Sequence, residues 1–299
     1  MSGHADLEAD AGADADTGGE VEAPMQARTP GTAHLLWTIV GRELRTVGRT
    51  RTFYLLAATL AAVVLGITWI GGGYTAGYLP TAVDLLTPLE LLVPIVAVAF
   101  GYRAILADKQ RGELDVLETY PVSPREIVLG VYTGRAVGLA AAIALPLAVA
   151  AVAIALTGDD TVAIYATHAG ADSPVLFARF LVLTVLFGLV VLAVAIAISS
   201  LVSATRSALG LSVVALVALL VGFDLAIVYG LAEGILGDTD LLYSLAISPL
   251  SAYRGLVLET TVVVATGTGP QVASPLASLA GLAAWTVGSL AVAIWGVRR

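Results

Sequence analysis

Few side chains in this sequence could do chemistry, and they fall into two groups. The first is the charged stretch GYRAILADKQRGELDVLETYPVSPREIVLG at 101–130, with Arg103, Asp108, Lys109, Arg111, Glu113, Asp115, Glu118, Arg125 and Glu126. The second is a lone acid, Asp224, inside the apolar run LVGFDLAIVYG. Neither has the make-up of a catalytic centre. A phosphate loop needs Gly-x-x-x-x-Gly-Lys-Ser/Thr, and the sole lysine, Lys109, is followed by Gln110. The histidines His4, His34 and His168 have no partner at metal-ligand spacing. With no cysteine, and only Met1 and Met25, soft metal ligands are missing as well. The sequence therefore predicts no catalytic, cofactor-binding or metal site in this chain.

The elements that must hold these residues are apolar. The chain is 58% hydrophobic and 13% charged, with mean hydropathy +0.91, whereas a soluble domain carries about 25% charged residues. Six runs, about 52–71, 87–107, 136–156, 178–202, 207–229 and 275–297, are each near the ~20 residues a helix needs to cross ~30 Å of hydrocarbon. A barrel would instead show alternating segments of ~10 residues. The expected fold is an all-α integral membrane protein with six transmembrane helices over 52–299. A mid-bilayer carboxylate costs about 2.5–3.5 kcal/mol on insertion scales, which makes Asp224 a candidate pathway residue. Glu90 reads as the end residue of the second span, Pro94 and Pro146 as prolines inside spans, and Gly71-Gly72-Gly73 as a turn.

Two segments precede the spans. Residues 1–30 are acidic and rich in Gly and Ala, a composition too polar to bury a core, and read as a disordered tail. Residues 33–51 read as an amphipathic interfacial helix. Leu36, Val40, Leu44 and Val47 share one face and Arg42, Arg45 and Arg49 another, with Trp37 as an anchor at an anionic leaflet. Acid-rich, lysine-poor usage resembles that of salt-loving archaea. With both termini in the cytoplasm, thirteen of the fifteen Lys and Arg fall inside, and only Arg179 and Arg254 fall outside. The same count argues against a seventh span in 241–264. The outer segment 230–274 then needs short interfacial or re-entrant helices to satisfy its backbone.

In this topology 108–135 is a cytoplasmic segment between spans two and three. Ser123-Pro124-Arg125-Glu126 matches a capping box with proline at the first helical position, so a helix starts there and runs into span three. Upstream, Gly112 permits a break, Leu114, Leu117 and Tyr120 share a helical face, and Pro121 ends that helix. Leucines flanked by Glu113, Asp115 and Glu118 suit docking into a partner's groove.

RGELDVLETYPVSPREIVLG resembles the first cytoplasmic loop of ABC-2 type transporter permeases. Gly112, Leu114, Asp115, Leu117, Pro121, Val122, Ser123, Glu126, Ile127 and Gly130 fit that family's pattern. Glu113 replaces its usual Thr, Pro124 a common basic residue and Val131 a Lys. SPLSAYRGLVLE at 248–259 is similar to the subgroup containing the copper-site maturation permease for nitrous-oxide reductase. The resemblance implies a permease subunit of the cytoplasmic membrane. It would move a substrate with ATP and Mg bound and hydrolysed in a separate ATPase subunit, and would pair with a second permease copy or homologue. It also implies an ATPase-coupling interface at Gly112, Glu113, Leu114, Leu117, Glu118, Pro121, Val122, Ser123, Arg125 and Glu126, with no nucleic-acid partner.

Two rival classes remain in view. An ion-gradient-driven secondary transporter would show inverted repeats and paired buried acids, but the chain has no internal repeat and one such acid, Asp224. An intramembrane enzyme would need a Ser-His pair, paired aspartates or paired histidines within spans, and no histidine lies in a predicted span.

Overall fold

Four Ser-Pro pairs mark where four helices begin. At Ser173, Ser248 and Ser274 the hydroxyl accepts a backbone N–H of the first turn, and proline takes the position whose N–H would be orphaned in any case. Ser123 does the same with a reciprocal partner, Glu126. The computed structural model describes residues 32–113, 122–157, 161–164, 168–235, 237, 243–267 and 273–298. The acidic tail over 1–30 lies outside the described residues.

The helices, in chain order, are α1 (Thr32–Val47), α2 (Arg51–Ile70), the short α3 (Gly73–Ala76), α4 (Tyr78–Gly101), α5 (Leu106–Gln110), α6 (Pro124–Thr157) and α7 (Pro174–Leu201). After them come α8 (Thr205–Val217), a π-helical turn at Ala218–Gly222, α9 (Phe223–Ala232), α10 (Pro249–Val257), a second π turn at Leu258–Val263, α11 (Val264–Thr266) and α12 (Pro275–Val297). Between α6 and α7, β1 (Thr161–Ile164) and β2 (His168–Ala171) form an antiparallel hairpin, with Thr161 opposite Ala171. Among the described residues, six helical stretches are long and apolar enough to cross a membrane: Arg51–Ile70, Tyr78–Gln110, Pro124–Thr157, Pro174–Leu201, Thr205–Ala232 and Pro275–Val297. Among the described residues the architecture is all-α apart from the hairpin.

The second long helix begins nine residues before the expected 87. Asp172 explains the early start: its carboxylate accepts the N–H groups of Tyr78 and Leu79, both at 2.8 Å, and so caps a helix ninety residues away in sequence. Glu90 is therefore not an end residue. It sits twelve residues into α4, roughly 18 Å from that helix's start.

Helix α7 is the centre. It packs against α4, α6, α10 and α12, and its Phe180, Phe187, Leu192 and Ile196 are buried. Small residues allow close crossings, as at Gly188, where an added Cβ would meet Ile143 and Val93 at 2.8 and 3.1 Å. Helices α2, α8–α9 and α12 flank the centre and turn apolar side chains outward, among them Leu55, Trp69, Val214, Leu225 and Val287. A membrane-spanning bundle has this inverted surface because lipid takes the place of water.

Candidate functional site

One end of the bundle gathers a connected set of charged side chains. Helix α1 is not simply laid on a surface; it docks along the first half of α6. Gly130, Gly134 and Gly138, four residues apart on one face of α6, receive Ile39, Glu43 and Val47 of α1. A Cβ on any of the three glycines would collide with its partner. The buried face of α1 thus contains Val40 and Glu43, whereas Leu44, on the apolar face read from the sequence, is exposed. The glycine stripe selects this face, because only there can the two backbones approach closely.

A buried carboxylate needs a partner, and Glu43 finds Arg135 of α6, whose Nε donates to it at 3.0 Å. Arg135 also donates to the carbonyl of Phe100 in the last turn of α4, one of the acceptors a helix end leaves unsatisfied. From α1, Arg42 reaches Asp108 at 2.7 Å and Glu43 and Glu113 at 3.2 Å each. Arg111 closes the ring with bonds of 2.6 Å to both Asp108 and Glu113. For Arg42 burial opposes the charge, but the carboxylates of Asp108, Glu43 and Glu113 outweigh it and raise its pKa above the ordinary guanidinium value. The Arg111 pKa is raised as well, chiefly by its hydrogen bond to Glu113.

The neighbouring residues of α5 bind the other helices. The only lysine, Lys109, extends its Nζ to the carbonyls of Ser200, in the last turn of α7, and Gly296, in the last turn of α12. A cation at two helix C-termini is favoured by both dipoles. The Ser199 hydroxyl accepts the N–H groups of Ile105 and Leu106 at 3.0 Å. Gln110 donates to Thr205 at the start of α8. The charged segment is thereby fastened to α1, α7, α8 and α12.

Of the residues the sequence singled out, Gly112 adopts φ +70, the left-handed conformation a break requires. Glu113 joins the ring, and Val122 and Arg125 lie toward the surface. The Ser123–Glu126 capping box is formed, with the Ser123 N–H donating to Glu126 at 2.7 Å and the Glu126 N–H to Ser123 at 3.3 Å. Removing it with Ser123→Ala is expected to cost about 1 kcal/mol, read as a lowered Tm in detergent. Leu114, Leu117, Glu118 and Pro121 lie outside the described residues. Sequence reading passed over Glu43 and Arg135 and named Asp108 only as part of the charged stretch, although Gly-x3-Gly-x3-Gly at 130–138 was a legible sign of a helix docking there.

Asp224 lies far from this ring. It accepts the hydroxyls of Ser248 at 2.8 Å and Ser251 at 2.5 Å, from the first turn of α10. Three residues on, Arg254 forms a two-point pair with Glu90, its Nε donating at 2.7 Å and its second bond coming from Nη2. Arg254 itself is exposed, while its partner Glu90 is buried within the helix Tyr78–Gly101. Among the described residues, no three His, Cys, Asp or Glu side chains lie close enough to hold a metal ion.

Comparison with known proteins agrees with this architecture. The family described as "ABC-2 family transporter protein" matches residues 25–298. The probable ABC transporter permease protein NosY of Pseudomonas aeruginosa is 32% identical over 271 residues, covering 87% of this chain and 93% of that protein. The protein of the same name from Stutzerimonas stutzeri is 30% identical over 231 residues, covering 73% of this chain and 79% of its own length. A match over nearly the whole chain, six spanning helices and a charged end that ties them together identify the chain as a member of the ABC-2 transporter family, a membrane-embedded permease module.

Proposed function

We propose that this chain is the permease subunit of an ABC transporter of the NosY type. In this reading the charged end faces the cytoplasm of a cell whose cytoplasmic membrane holds the six spans. A separate ATPase subunit binds ATP and Mg and docks on the segment around 112–126. A second permease, identical or related, completes the transport unit. The chain itself supplies no nucleotide site.

The observation that carries the reading is the fastening of residues 105–113 to four other helices through Asp108, Lys109, Gln110, Glu113 and the Ser199 hydroxyl. Switching a pathway from mostly closed to mostly open takes a differential of roughly 5 kcal/mol between states. A loose loop would absorb a push from a closing ATPase. A segment tied by ion pairs to α1, and by helix-end hydrogen bonds to α7 and α12, passes it to the bundle. The capping box adds a stiff start to α6, so that movement at Ser123 becomes movement of a long helix. NosY-type relatives add the subgroup; the absence of Cys, and of Met beyond Met1 and Met25, speaks against bare copper as the cargo.

The test is affinity capture, in detergent, of an ATPase subunit from native membranes on this chain. Leu117→Asp, and separately Pro121→Ala with Glu126→Ala, are expected to weaken capture at least tenfold while membrane insertion is retained. Undiminished capture by both removes the docking role.

A further inference from the structure

Helix α7 buries most of its residues, but one stripe near its start is open. Val175, Ala178, Arg179 and Val182 are spaced i, i+3, i+4, i+7 and so share one helical face, and all four are exposed. The stripe lines a groove with Pro275 and Leu279 of α12, with Leu256 of α10 and with Thr260 of the π turn that follows it. The groove encloses about 450 Å³, within the roughly 300–1,000 Å³ of sites that hold a small molecule. Apart from Arg179 and Thr260, every side chain lining it is apolar. It lies at the end of α7 away from the charged ring, since Ser200 in the last turn of α7 is the residue that Lys109 reaches.

Arg179 is the sixth residue of α7, roughly 8 Å along the axis from Pro174. An arginine so near a helix end ordinarily stretches toward the interface and leaves the apolar surface. Here Nη1 is engaged by the Thr260 carbonyl at 3.1 Å, a contact between two residues of the groove wall. That bond keeps the guanidinium at the groove but uses one N–H of a fork that has five, and it neutralises no charge. Arg254, in α10, is matched by Glu90. Arg179 has no carboxylate partner among the described residues. A second groove between α7 and α12, lined by Val194, Ile198, Trp285 and Val292 among others, is of similar size but has no charged side chain on its wall.

We propose that the groove at Arg179 holds one anionic phospholipid, its phosphate on the guanidinium and one acyl chain against the apolar wall. The two halves of the site ask for the two halves of that molecule. A guanidinium binds phosphate oxygens two at a time, and an apolar surface of this size suits a hydrocarbon chain. A neighbouring apolar helix would fill the groove and leave the charge unmatched. The first turns of α7 and α12, represented on the wall by Val175 and Pro275, bring the positive ends of two helix dipoles to the same headgroup. Seated there, the lipid touches α7, α10 and α12 at once. The inference needs the chain to lie in a bilayer and involves neither an ATPase nor a cargo.

The test is a lipid titration of the full-length chain, delipidated in detergent and read by native mass spectrometry. Dioleoyl phosphatidylglycerol is the probe and dioleoyl phosphatidylcholine the comparison. The parent is expected to bind one phosphatidylglycerol at least tenfold more tightly than further copies, and at least tenfold more tightly than phosphatidylcholine. Arg179→Ala should weaken that first binding at least tenfold, and Arg179→Lys, which keeps the charge, should weaken it less. Ala178→Trp fills the groove from an exposed position and should weaken it as much with Arg179 still in place; Val182→Trp serves if that variant does not fold. Arg206→Ala, at an exposed arginine in the first turn of α8, should change nothing. A parent without headgroup preference overturns the proposal. So does an effect of Arg179→Ala alone, which would leave a bare anion site, or of the tryptophan variant alone, which would leave an apolar groove without headgroup selection. Displacement of the bound lipid by inorganic phosphate also overturns it. A tryptophan variant that binds lipid like the parent but changes oligomeric state would assign the groove to a second copy of the chain.

Discussion

Arg135→Ala is expected to destabilise the chain by about 3–5 kcal/mol, the cost of leaving a buried charge without its partner. Arg135 is nearly buried, and so is Glu43, which it faces at 3.0 Å. Removing the guanidinium strands the Glu43 carboxylate between α1 and α6 and frees the Phe100 carbonyl at the end of α4. Arg42 compensates in part, since it also touches Glu43, at 3.2 Å, but it is already shared among three acids. The measurement is the Tm in detergent against the parent. The paired change Glu43→Leu with Arg135→Leu should recover most of the loss, because replacing both members of a buried pair is often close to neutral. A single variant that melts with the parent would mean that water reaches Glu43 and the pair is not buried in effect.

Gly134→Leu is expected to expel α1 from its groove. Its Cβ would meet the Glu43 side chain and, at 3.2 Å, the Val40 carbonyl. Backbone cannot give way as a flexible side chain can, so the cost should reach the upper part of the 1–3 kcal/mol range for overpacking, about 3 kcal/mol. Trypsin cleavage after Arg45, exposed on α1, and Arg49, in the turn that follows it, should quicken by an order of magnitude as the helix undocks. Gly41→Ala is the contrasting change. It lies on the same helix, its Cβ would meet nothing within 4 Å, and helix propensity alone predicts a gain of up to about 1 kcal/mol. If both variants digest like the parent, α1 is held by something other than the glycine stripe.

In the proposed transporter these two changes would also cut the path from the docking segment to the bundle. Arg42 links α1 to Asp108 and Glu113, while Glu43 links it to α6. A chain with α1 undocked but the capping box intact would still present Ser123 and Glu126. It would therefore be expected to capture an ATPase yet transmit its closure poorly.

Much of this protein was legible in the residues themselves. Six spans follow from the length and spacing of the apolar runs, because a helix must cross hydrocarbon with every backbone bond satisfied inside itself. The start of α6 follows from Ser123-Pro124-Arg125-Glu126, because a capping box needs only neighbours three residues apart. The break at Gly112 was readable for the same reason: local chemistry needs no knowledge of the rest of the chain. Tertiary structure alone decided which face of α1 is buried, since Val40 and Glu43 turn inward only because Gly130, Gly134 and Gly138 lie opposite, about ninety residues away. It also decided that Glu90 is a mid-helix residue paired with Arg254, 164 residues on, and that Asp172 caps α4 from 93 and 94 residues away. A lone charge in an apolar run tells the reader that a partner must exist, because burial without one costs several kcal/mol. Which charge it is depends on how the helices are arranged around α7, and nothing local to Glu90, Asp172 or Arg135 specifies that arrangement.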